Sequence, residues 1–405
     1  MPLAQRFRRA LLLCLLCSAA GFVFAAASAN AQTPRLQGQS AAAAAMGNAF
    51  VAQADDPSAL HYNPAGMTQL HGFQTLFGTT LIGGTTQFTS PTGAQVTGDR
   101  NGSVAWPPPG HVYLVANLKD LGLSALGNFT AGIGMNNPFG SLTRYPNDGP
   151  FRTAITFTTL PLLDIKPTIA YKLNDQLSFG LGADIYTFSG LFGEGHLEQK
   201  SIWPGGLGIP AGSLMEINGS DTTAGFNVSL LYTPFRNSDG KPLVNIGMVY
   251  RSQATFHLTG NFLANGASVA GATATFVLPQ VFSGGIGIWP VRTSEREWKL
   301  EFDVDYTGWK SNRNLDVHLT NGALLPFPQN WQSTYTVMIG TEYRWLRLAS
   351  MPDWDIALPV SYTHLRAHET VLDLVCRLLL EKKKHFSSTP LLVHESVYSP
   401  AAVLI

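Results

Sequence analysis

From about residue 72 onward, apolar and polar side chains alternate along the chain with a period of two. Starting at Trp298, every second residue up to Tyr306 is apolar or aromatic, and the positions in between are polar. Those polar positions include four charged residues, Lys299, Glu301, Asp303 and Asp305. A period of two is typical of a β-strand with one apolar and one polar face. The pattern recurs at 178–185, 244–251 and 335–344, and it predicts an all-β protein.

The alternating stretches predict about eleven complete strands and part of a twelfth. They lie at 72–88, 110–118, 126–136, 151–172, 177–198, 221–233, 243–260, 269–278, 281–289, 297–318 and 330–345, with a further start after residue 353. Many have roughly ten residues or more, which is the length that a tilted strand needs to cross a bilayer. Aromatic residues near their ends predict interfacial girdles, namely Trp298, Trp309, Tyr335, Tyr343 and Trp345. Because unpaired backbone groups are costly in lipid, we expect a transmembrane antiparallel β-barrel rather than a secreted β-sandwich, which would also alternate.

Composition agrees with this fold and narrows the possible partners. The 405 residues include 26 Lys+Arg and 26 Asp+Glu, so the zero net charge gives no reason to expect binding to nucleic acid. Only 13% of residues are charged, whereas 40 are glycine, as suits many strands with close packing. After residue 30, no run approaches the ~20 apolar residues that a membrane-spanning helix needs.

The first 31 residues predict export. Arg6, Arg8 and Arg9 precede an apolar stretch that ends at Phe24, and Ala29-Asn30-Ala31 offers a cleavage site for signal peptidase. We therefore expect residues 1–31 to be a cleaved signal peptide, with an uncleaved anchor as the alternative. Export combined with the barrel pattern indicates the outer membrane of a Gram-negative bacterium.

Residues 32–71 do not alternate. The run Ala41–Ala45 is helix-prone, and Asp55-Asp56-Pro57 and Asn63-Pro64 interrupt any helix that follows. The segment is too polar to cross lipid, so it lies either outside the barrel or inside it as a plug. The barrel itself is expected to span 72–358.

The alternation fades near residue 359. Residues 360–384 have helical spacing of Leu and Val and end in a lysine run. The string resembles the out-of-frame translation of a sequencing or cloning adapter. We therefore expect 359–405 to be foreign and the barrel to be incomplete at its C-terminal end, with a genuine periplasmic helix as the alternative.

The run from Ala52 to Met67 resembles the N-terminal hatch of FadL-type outer-membrane transporters, whose motif is A-x-A-x-D-x-(S/T)-x-x-x-x-N-P-A-(G/A)-(M/L). Later stretches are similar to the same family: Tyr171-Lys172-Leu173, Leu278-Pro279, Glu301-Phe302-Asp303-Val304-Asp305-Tyr306 with Trp309, and Asn330-Trp331-Gln332 through Trp345. The resemblance covers residues 38 to about 358. It implies a fourteen-stranded barrel plugged by a helical hatch, a hydrophobic ligand in the lumen, and sideways exit through a kinked third strand.

The resemblance, with the local sequence, suggests three groups of site residues. Gating of the hatch is expected at Asn63, Pro64, Ala65 and Gly66, because Pro64 fixes φ and Asn63 can bond nearby backbone. The strand kink is expected at Asn137, Pro138, Phe139 and Gly140, with a simple loop after a strand as the alternative. Capture of ligand by an outer loop is expected at Ile202, Trp203, Leu207 and Ile209.

Catalytic patterns are missing from the sequence. Outside the tail, the histidines are scattered without H-x-x-x-H spacing, and no G-x-S-x-G elbow occurs. Cys14 and Cys17 lie in the signal peptide and Cys376 in the tail, so no disulfide or thiolate site is expected. We expect no enzyme activity, no catalytic residues, no metal and no cofactor.

The predicted function is passive transport of long-chain fatty acids or related hydrophobic compounds. Aromatic hydrocarbons are an alternative substrate, and an outer-membrane lipase or a general porin are alternatives of another class. The expected partners are the hydrophobic ligand, outer-membrane lipids and lipopolysaccharide, and the barrel-assembly machinery. We expect a monomer.

Overall fold

The computed structural model describes residues 35–83, 86–89, 93, 95–98, 108–190, 194–206, 208–329, 331–346, 354–366, 379–382 and 402–404. Its α-helices are short: α1 is Ala41–Ala45 and α2 is Ala59–Tyr62. Three 3₁₀-helices span Pro64–Gln69, Ser124–Leu126 and Trp309–Ser311. In these described ranges, no helix combines the length and the apolar character needed to cross a membrane.

Strands make up most of the described chain. They are β1 (Phe73–Thr79), β2 (Leu81–Gly83), β3 (Thr86–Thr89), β4 (Gln95–Gly98), β5 (Gly110–Asn117), β6 (Phe129–Asn136), β7 (Gly140–Arg144), β8 (Phe157–Lys172), β9 (Leu177–Phe188), β10 (Leu197–Ile202), β11 (Leu214–Gly219), β12 (Thr223–Arg236), β13 (Pro242–Arg251), β14 (Ala254–Ala264), β15 (Ala267–Leu278), β16 (Val281–Arg292), β17 (Arg296–Thr307), β18 (Val317–Leu319), β19 (Leu324–Leu325), β20 (Thr334–Trp345), β21 (Trp354–Arg366), β22 (Leu379–Lys382) and β23 (Ala402–Leu404).

Most of the long strands form one antiparallel sheet, which we call the main wall. Its bonded order is β1-β5-β6-β8-β9-β12-β13-β16-β17-β20-β21, and β22 pairs with β21. Short turns at 173–176, 237–241 and 293–295 join strands at one edge of this wall. Long connections join them at the other edge, as in outer-membrane barrels, where the long loops face outward.

The long connections carry a second set of paired strands, which we call the extension. It consists of β7, the first half of β8, β10, β11, β14, β15, β18 and β19. The stretches predicted as single strands at 177–198, 243–260 and 297–318 are each divided in two. In each case the first part of the stretch pairs within the main wall, whereas the second part pairs with strands of the extension.

Burial in the main wall is inverted relative to a soluble protein. On β17, Leu300 and Phe302 are 38% and 44% exposed, whereas Glu301 and Asp303 are 2% and 0% exposed. Charged residues are rarely buried in soluble domains unless paired. Apolar residues outside and polar residues inside are the arrangement of a sheet whose outer face meets lipid.

Aromatic side chains form a continuous row at the edge of the main wall that carries the extension. Neighbouring ring centroids in this row lie 4.6–6.4 Å apart on five successive strands. The row consists of Phe226, Tyr250, Phe282, Tyr306 and Tyr335. The prediction of a girdle is correct for Tyr335 but wrong for Trp309, which is 2% exposed. Trp309 points inward because the chain turns into a 3₁₀-helix directly after β17.

Strand β21 extends beyond the predicted end of the barrel at residue 358. It pairs with β20 from Ile356 opposite Trp345 to Arg366 opposite Tyr335. Ser361 and Thr363 are buried while Val360 and Tyr362 are partly exposed, so the alternation continues. The residues after 358 can pair in this way because their sequence still alternates; the foreign origin of the tail stays a prediction.

Candidate functional site

Residues 35–71 are the described part of the predicted hatch, and they lie against the inner face of the main wall. We call these residues the hatch. Phe50, Leu60, Ala65 and Met67 are all fully buried. Helix α1 is capped by Ser40, whose hydroxyl accepts a hydrogen bond from the amide of Ala43 at 3.1 Å. The sequence left it open whether this segment lies outside the barrel or inside it, and in the structure it lies on the inner side of the wall.

Glycines in the main wall leave room for the hatch backbone. A Cβ at Gly247 would collide with the carbonyl group of Val51, and one at Gly340 would lie 2.6 Å from the carbonyl oxygen of Met46. Real Cβ atoms do not approach backbone so closely, so glycine is required at both places. The strand glycines that the sequence shows are therefore part of the fit between wall and hatch.

Two acids of β17 hold one turn of the hatch by its backbone. The amides of Phe50 and Val51 donate to Asp303 Oδ2 at 2.7 and 2.8 Å. The amides of Ala52 and Gln53 donate to Glu301 Oε1 at 2.7 and 3.0 Å. Four successive amides donate to two buried carboxyl groups, and these directional bonds hold this turn of the hatch in one geometry.

The sequence predicts that Lys299, Glu301, Asp303 and Asp305 pair with charges on adjacent strands, and these contacts correct that prediction. Only Lys299 pairs in this way, with its Nζ 3.6 Å from Glu342 on β20. Lys299 also donates to the side chain of Gln53 in the hatch. The alternation placed the acids on the inner face, but backbone donors leave no signal in a sequence. The partners of Glu301 and Asp303 therefore could not be predicted.

The predicted gating residues, 63–66, lie close together within the hatch, and we call them the joint. Asn63 donates from Nδ2 to the carbonyl oxygens of Val51 at 2.8 Å and Leu230 at 3.2 Å. Its Oδ1 accepts from the amide of Ala65 at 3.2 Å, and that amide also donates to Ser229 Oγ at 2.9 Å. Pro64 starts the 3₁₀-helix, and a Cβ at Gly66 would lie 2.5 Å from the Cβ of Ala54. Asn63 thus links two parts of the hatch to the wall.

A buried charge cluster lies where α2 meets the wall. Lys166 forms ion pairs with Asp164 and Asp184, and Arg251 contacts Asp184 at 3.0 Å. Arg251 also donates to the carbonyl oxygen of His61. Such buried charges are tolerated because they are paired.

His61 is held neutral in this setting. Burial, reinforced by the positive charge of Arg251, lowers the pKa of His61 well below its ordinary value of 6.5. Its Nδ1 lies 2.9 Å from Nδ2 of Asn136. The two side chains are therefore within hydrogen-bond distance of each other, and the neutral ring can take part without a charge.

The predicted kink residues interrupt the third strand of the main wall. Strand β6 ends at Asn136, opposite Asp164, and β7 begins at Gly140, opposite Pro161. Between them, Asn137 bonds by its side chain to the carbonyl of Leu162 at 2.7 Å instead of continuing the ladder. This is a break within a strand pair rather than a loop at a strand end.

The N-terminal end of the hatch, residues 35–39, covers this break, and we call these residues the strap. Arg35 forms a β-bridge with Phe139, and the amide of Leu36 donates to the carbonyl of Pro138 at 2.8 Å. Gln39 donates from its side chain to the carbonyl of Asn137 at 3.0 Å. The strap therefore contacts three of the four residues predicted for the kink by hydrogen bonds or bridge pairing.

An apolar cluster rich in aromatic rings begins at the kink. Phe139 lies 6.4 Å from Tyr186 and 6.0 Å from Trp309 between ring centroids, and Trp309 lies 5.0 Å from Trp331. The other buried members come from β8, β14 and β15 and are Leu160, Leu162, Ala254, Phe256, Leu258, Phe276 and Leu278. Sequence reasoning missed this cluster because its members alternate on distant strands.

Of the four residues predicted to capture ligand in an outer loop, Trp203 and Ile209 make apolar contacts within the extension. Trp203 lies 6.0 Å from Phe262 between ring centroids, and Ile209 packs on the same cluster in the extension. Ile202 is the last residue of β10, and Leu207 lies outside the described residues. A neighbouring cleft that is open to solvent is lined by Leu197, Ile217, Leu258, Ala272, Val317 and Phe327 among others.

One group of side chains in the extension has the chemistry of a metal site. Ligand atoms of His196, Glu198 and Glu216 lie within 4.8 Å of one another. Lys200 forms ion pairs with both carboxylates, at 3.4 Å for Glu216. Partial burial disfavours the charge of Lys200, but its hydrogen bond to Glu198 and that residue's charge raise its pKa overall. The ammonium group therefore offsets part of the negative charge of these acids.

Comparison with known proteins agrees with this arrangement. A family model described as "Outer membrane protein transport protein (OMPP1/FadL/TodX)" matches residues 20–347. The chain belongs to this family. The FadL-type resemblance and the outer-membrane localisation are thereby confirmed, and the family consists of transport proteins rather than enzymes.

Curated members of the family are distant relatives. The long-chain fatty acid transport protein of Escherichia coli K12 is 24% identical over 296 residues, which are 63% of this chain and 61% of that protein. A putative outer membrane protein of Neisseria meningitidis serogroup B is 33% identical over 138 residues, or 33% of this chain and 28% of that protein. The chain thus spans about three-fifths of the length of the fatty acid transport proteins that it matches.

Solved structures share the fold. A FadL homologue of Pseudomonas aeruginosa gives a TM-score of 0.57 at 17% identity, covering 84% of this chain and 82% of that one. The toluene transporter of Ralstonia pickettii gives 0.57 at 19% identity, covering 81% and 87%. The likeness confirms the prediction of an all-β transmembrane barrel fold.

Proposed function

We propose that this protein is a passive outer-membrane channel for long-chain fatty acids or related hydrophobic compounds. The observation that carries the proposal is the aromatic cluster inside the protein, which reaches the strand break at Phe139. An apolar guest gains about 25 cal/mol for each Å² of apolar surface that it removes from water there. The long-chain fatty acid transport protein of Escherichia coli is a relative whose printed name agrees with this substrate class.

The proposed path has three stages. A ligand enters the apolar cleft of the extension, which shares Leu258 and Ala274 with the aromatic cluster. It then exchanges with side chains of that cluster. Rearrangement of the hatch and strap opens the break at residues 137–140, and the ligand leaves sideways down its gradient.

A general porin is the less favoured class. Porins need a wide polar lumen, whereas here hatch residues such as Phe50 and Leu60 are fully buried against the wall. Conductance of small hydrophilic ions through the protein in planar bilayers, comparable with that of a porin, would contradict the proposed channel for hydrophobic compounds.

Aromatic hydrocarbons are a second candidate substrate, and the composition of the cluster favours them. Its buried members are aromatic or aliphatic and carry no charge, so an uncharged ring fits without displacing an ion pair. The toluene transporter of Ralstonia pickettii shares the fold. Both substrate classes therefore belong in the first test.

The test is uptake of labelled oleate and labelled toluene by a host that lacks its own fatty acid transporter. Phe256→Ala removes a fully buried ring of the cluster, and Phe302→Ala removes a ring on the lipid-facing side as a matched control. We expect uptake of at least one compound, reduced several-fold by Phe256→Ala and little by Phe302→Ala. Uptake of neither compound by a folded, heat-modifiable protein would overturn the proposal.

A further inference from the structure

A histidine and two glutamates meet on one face of the paired strands β10 and β11 in the extension. Glu198 and Glu216 lie on these two strands, and His196 directly precedes β10. Lys200 is opposite Glu216 in the register, and Glu198 is two residues from Lys200, so the three side chains share a face. Ligand atoms of His196, Glu198 and Glu216 all lie within 4.8 Å of one another.

The imidazole ring of His196 has an unsatisfied nitrogen. Its Nε2 is enclosed, and no hydrogen-bond partner for it occurs among the described residues. A buried polar atom without a partner is unfavourable, so in a native protein it points to a water molecule or an ion. The lone pair of a neutral imidazole nitrogen binds metal ions. A cation beside the two glutamates would therefore satisfy this nitrogen.

The charge of the two glutamates also favours a cation. Glu198 is only 2% exposed, and a buried carboxylate needs a positive partner. Lys200 supplies one, because it forms ion pairs with both Glu198 and Glu216. One ammonium group facing two carboxylates leaves an excess of negative charge, whereas a divalent cation balances both.

Lys200 can give up this place at little cost. Its side chain is 32% exposed, so its ammonium group can turn toward solvent. The Nζ atom also lies 5.4 Å from the ring centroid of Phe157, and cations are attracted to the face of an aromatic ring. The lysine therefore keeps a favourable contact when it leaves Glu198.

The mixture of donor atoms selects the kind of metal. Calcium and magnesium take oxygen ligands, whereas imidazole together with carboxylates suits Zn²⁺ and similar transition metals. Zinc holds nitrogen and oxygen ligands at about 2.0–2.2 Å, so small rotations of the three side chains would bring them onto one ion. Three protein ligands leave a position for water.

We propose that His196, Glu198 and Glu216 form a binding site for a divalent transition metal such as Zn²⁺, and that Lys200 takes the place of the ion when none is bound. The site lies in the extension and uses no residue of the hatch, so it goes beyond the proposed transport function. A bound ion would join the segment before β10 to β11.

The test is calorimetric titration of the purified full-length protein, without a histidine tag, with Zn²⁺ and separately with Ca²⁺. We expect His196→Ala and Glu216→Gln each to weaken Zn²⁺ binding by about tenfold or more, since even the loss of a group behind a ligand costs that much. Lys200→Gln should strengthen it several-fold, because the competing ammonium group is gone. His257→Ala is the control, since His257 is an exposed histidine of the extension outside the group.

Cobalt absorption gives an independent measurement, because the visible spectrum of bound Co²⁺ reports nitrogen ligation and changes when His196 is replaced. Heat-modifiable migration shows that each variant is folded. Equal Zn²⁺ affinity of the unmodified protein and a folded His196→Ala, Glu216→Gln double variant would overturn the site. Weaker binding in Lys200→Gln would overturn the exchange between lysine and metal. Binding of Ca²⁺ as tight as that of Zn²⁺ would contradict the assignment to a transition metal.

Discussion

The two ends of the lumen differ in the polarity of the side chains that line them. At the end with short turns, charged and amide side chains of the wall bind the hatch, as Glu301, Asp303 and Asn245 do. At the end with the extension, the inner face is lined by rings and aliphatic groups, as in Phe256 and Leu278. Hydrogen bonds fix a partner in one geometry, whereas apolar contact is non-directional and accepts many shapes.

Under the proposed function, this difference separates two tasks, which are sealing the lumen and binding hydrophobic guests. A seal must be held at a defined place, and directional bonds to a built-in segment achieve that. A site for variable hydrophobic guests needs attraction without strict geometry. The strap at the strand break lies between the two regions, since it contacts both Phe139 of the apolar cluster and Asp305 of the polar wall.

Removing the acids of β17 is the largest expected perturbation of the polar end. Glu301→Gln with Asp303→Asn puts amide side chains in place of the carboxyl groups that accept from four hatch amides, and each hydrogen bond that is lost costs about 0.5–1.5 kcal/mol. We expect the amides of residues 50–53 to exchange hydrogen much faster and ion conductance in planar bilayers to rise. Glu297→Gln is the control on the same strand, because Glu297 contacts Lys241 and Arg292 rather than the hatch. Equal conductance of both variants would contradict the sealing role.

Asn63→Ala is expected to have the next largest effect. It removes two donated bonds and one accepted bond within the joint of the hatch, and leaving buried partners unsatisfied costs about 1–3 kcal/mol. We expect lower uptake of oleate or toluene from a barrel that still shows heat-modifiable migration. Pro64→Ala should act in the same direction through the loss of its fixed φ. Normal uptake in both variants would exclude a gating role for the joint.

Gly247→Ala tests the close fit between wall and hatch. The added methyl group meets the Val51 carbonyl, and overpacking of this kind costs about 1–3 kcal/mol. We expect a lower thermal midpoint of hatch unfolding and faster exchange at residues 50–53. Gly284→Ala is the matched control on the neighbouring strand, since a Cβ there meets no atom within 4 Å. Similar losses in both variants would mean that strand propensity, rather than hatch contact, sets the effect.

The smallest expected effect is a pH dependence at His61. The pKa of buried His61 lies well below 6.5, and exposure in an opened hatch returns it toward that value. The open state therefore binds more protons, and the closed hatch loses stability as pH falls below about 6.5, by about 1 kcal/mol near pH 6. Hydrogen exchange at residues 59–63, corrected for intrinsic rates, measures this slope between pH 7.5 and 5.5. A slope that is unchanged in His61→Gln would assign the dependence to other groups.

The fold was largely predictable, while the site was predictable only in part. Period-two patterning marks strands directly, because each strand residue faces either lipid or lumen, and the inner position of Asp303 follows from it. The sequence did not show where the chain passes from the main wall to the extension, because the strands of both have the same period-two pattern. The bonds from Phe50 and Val51 to Asp303 were also hidden, because every residue type except proline carries the same backbone donor.

The apolar cluster shows a second limit of sequence reasoning. Phe139 was predicted as part of a kink, and Trp309 as part of an interfacial girdle, but their rings lie 6.0 Å apart inside the protein. Nothing in the local sequence brings residues on strands so far apart into contact. Only the pairing order of the wall does so, and that order depends on register over the whole chain.

The bonds between the hatch and β17 also constrain how the protein folds. The amide of Phe50 and its acceptor Asp303 are separated by 253 residues, and those of Ala52 and Glu301 by 249. Such distant pairings are slow to form, because the chain entropy of a very large loop is lost before any contact is gained. The hatch precedes the whole wall in the chain, and it therefore acquires these partners only after β17 has been synthesised.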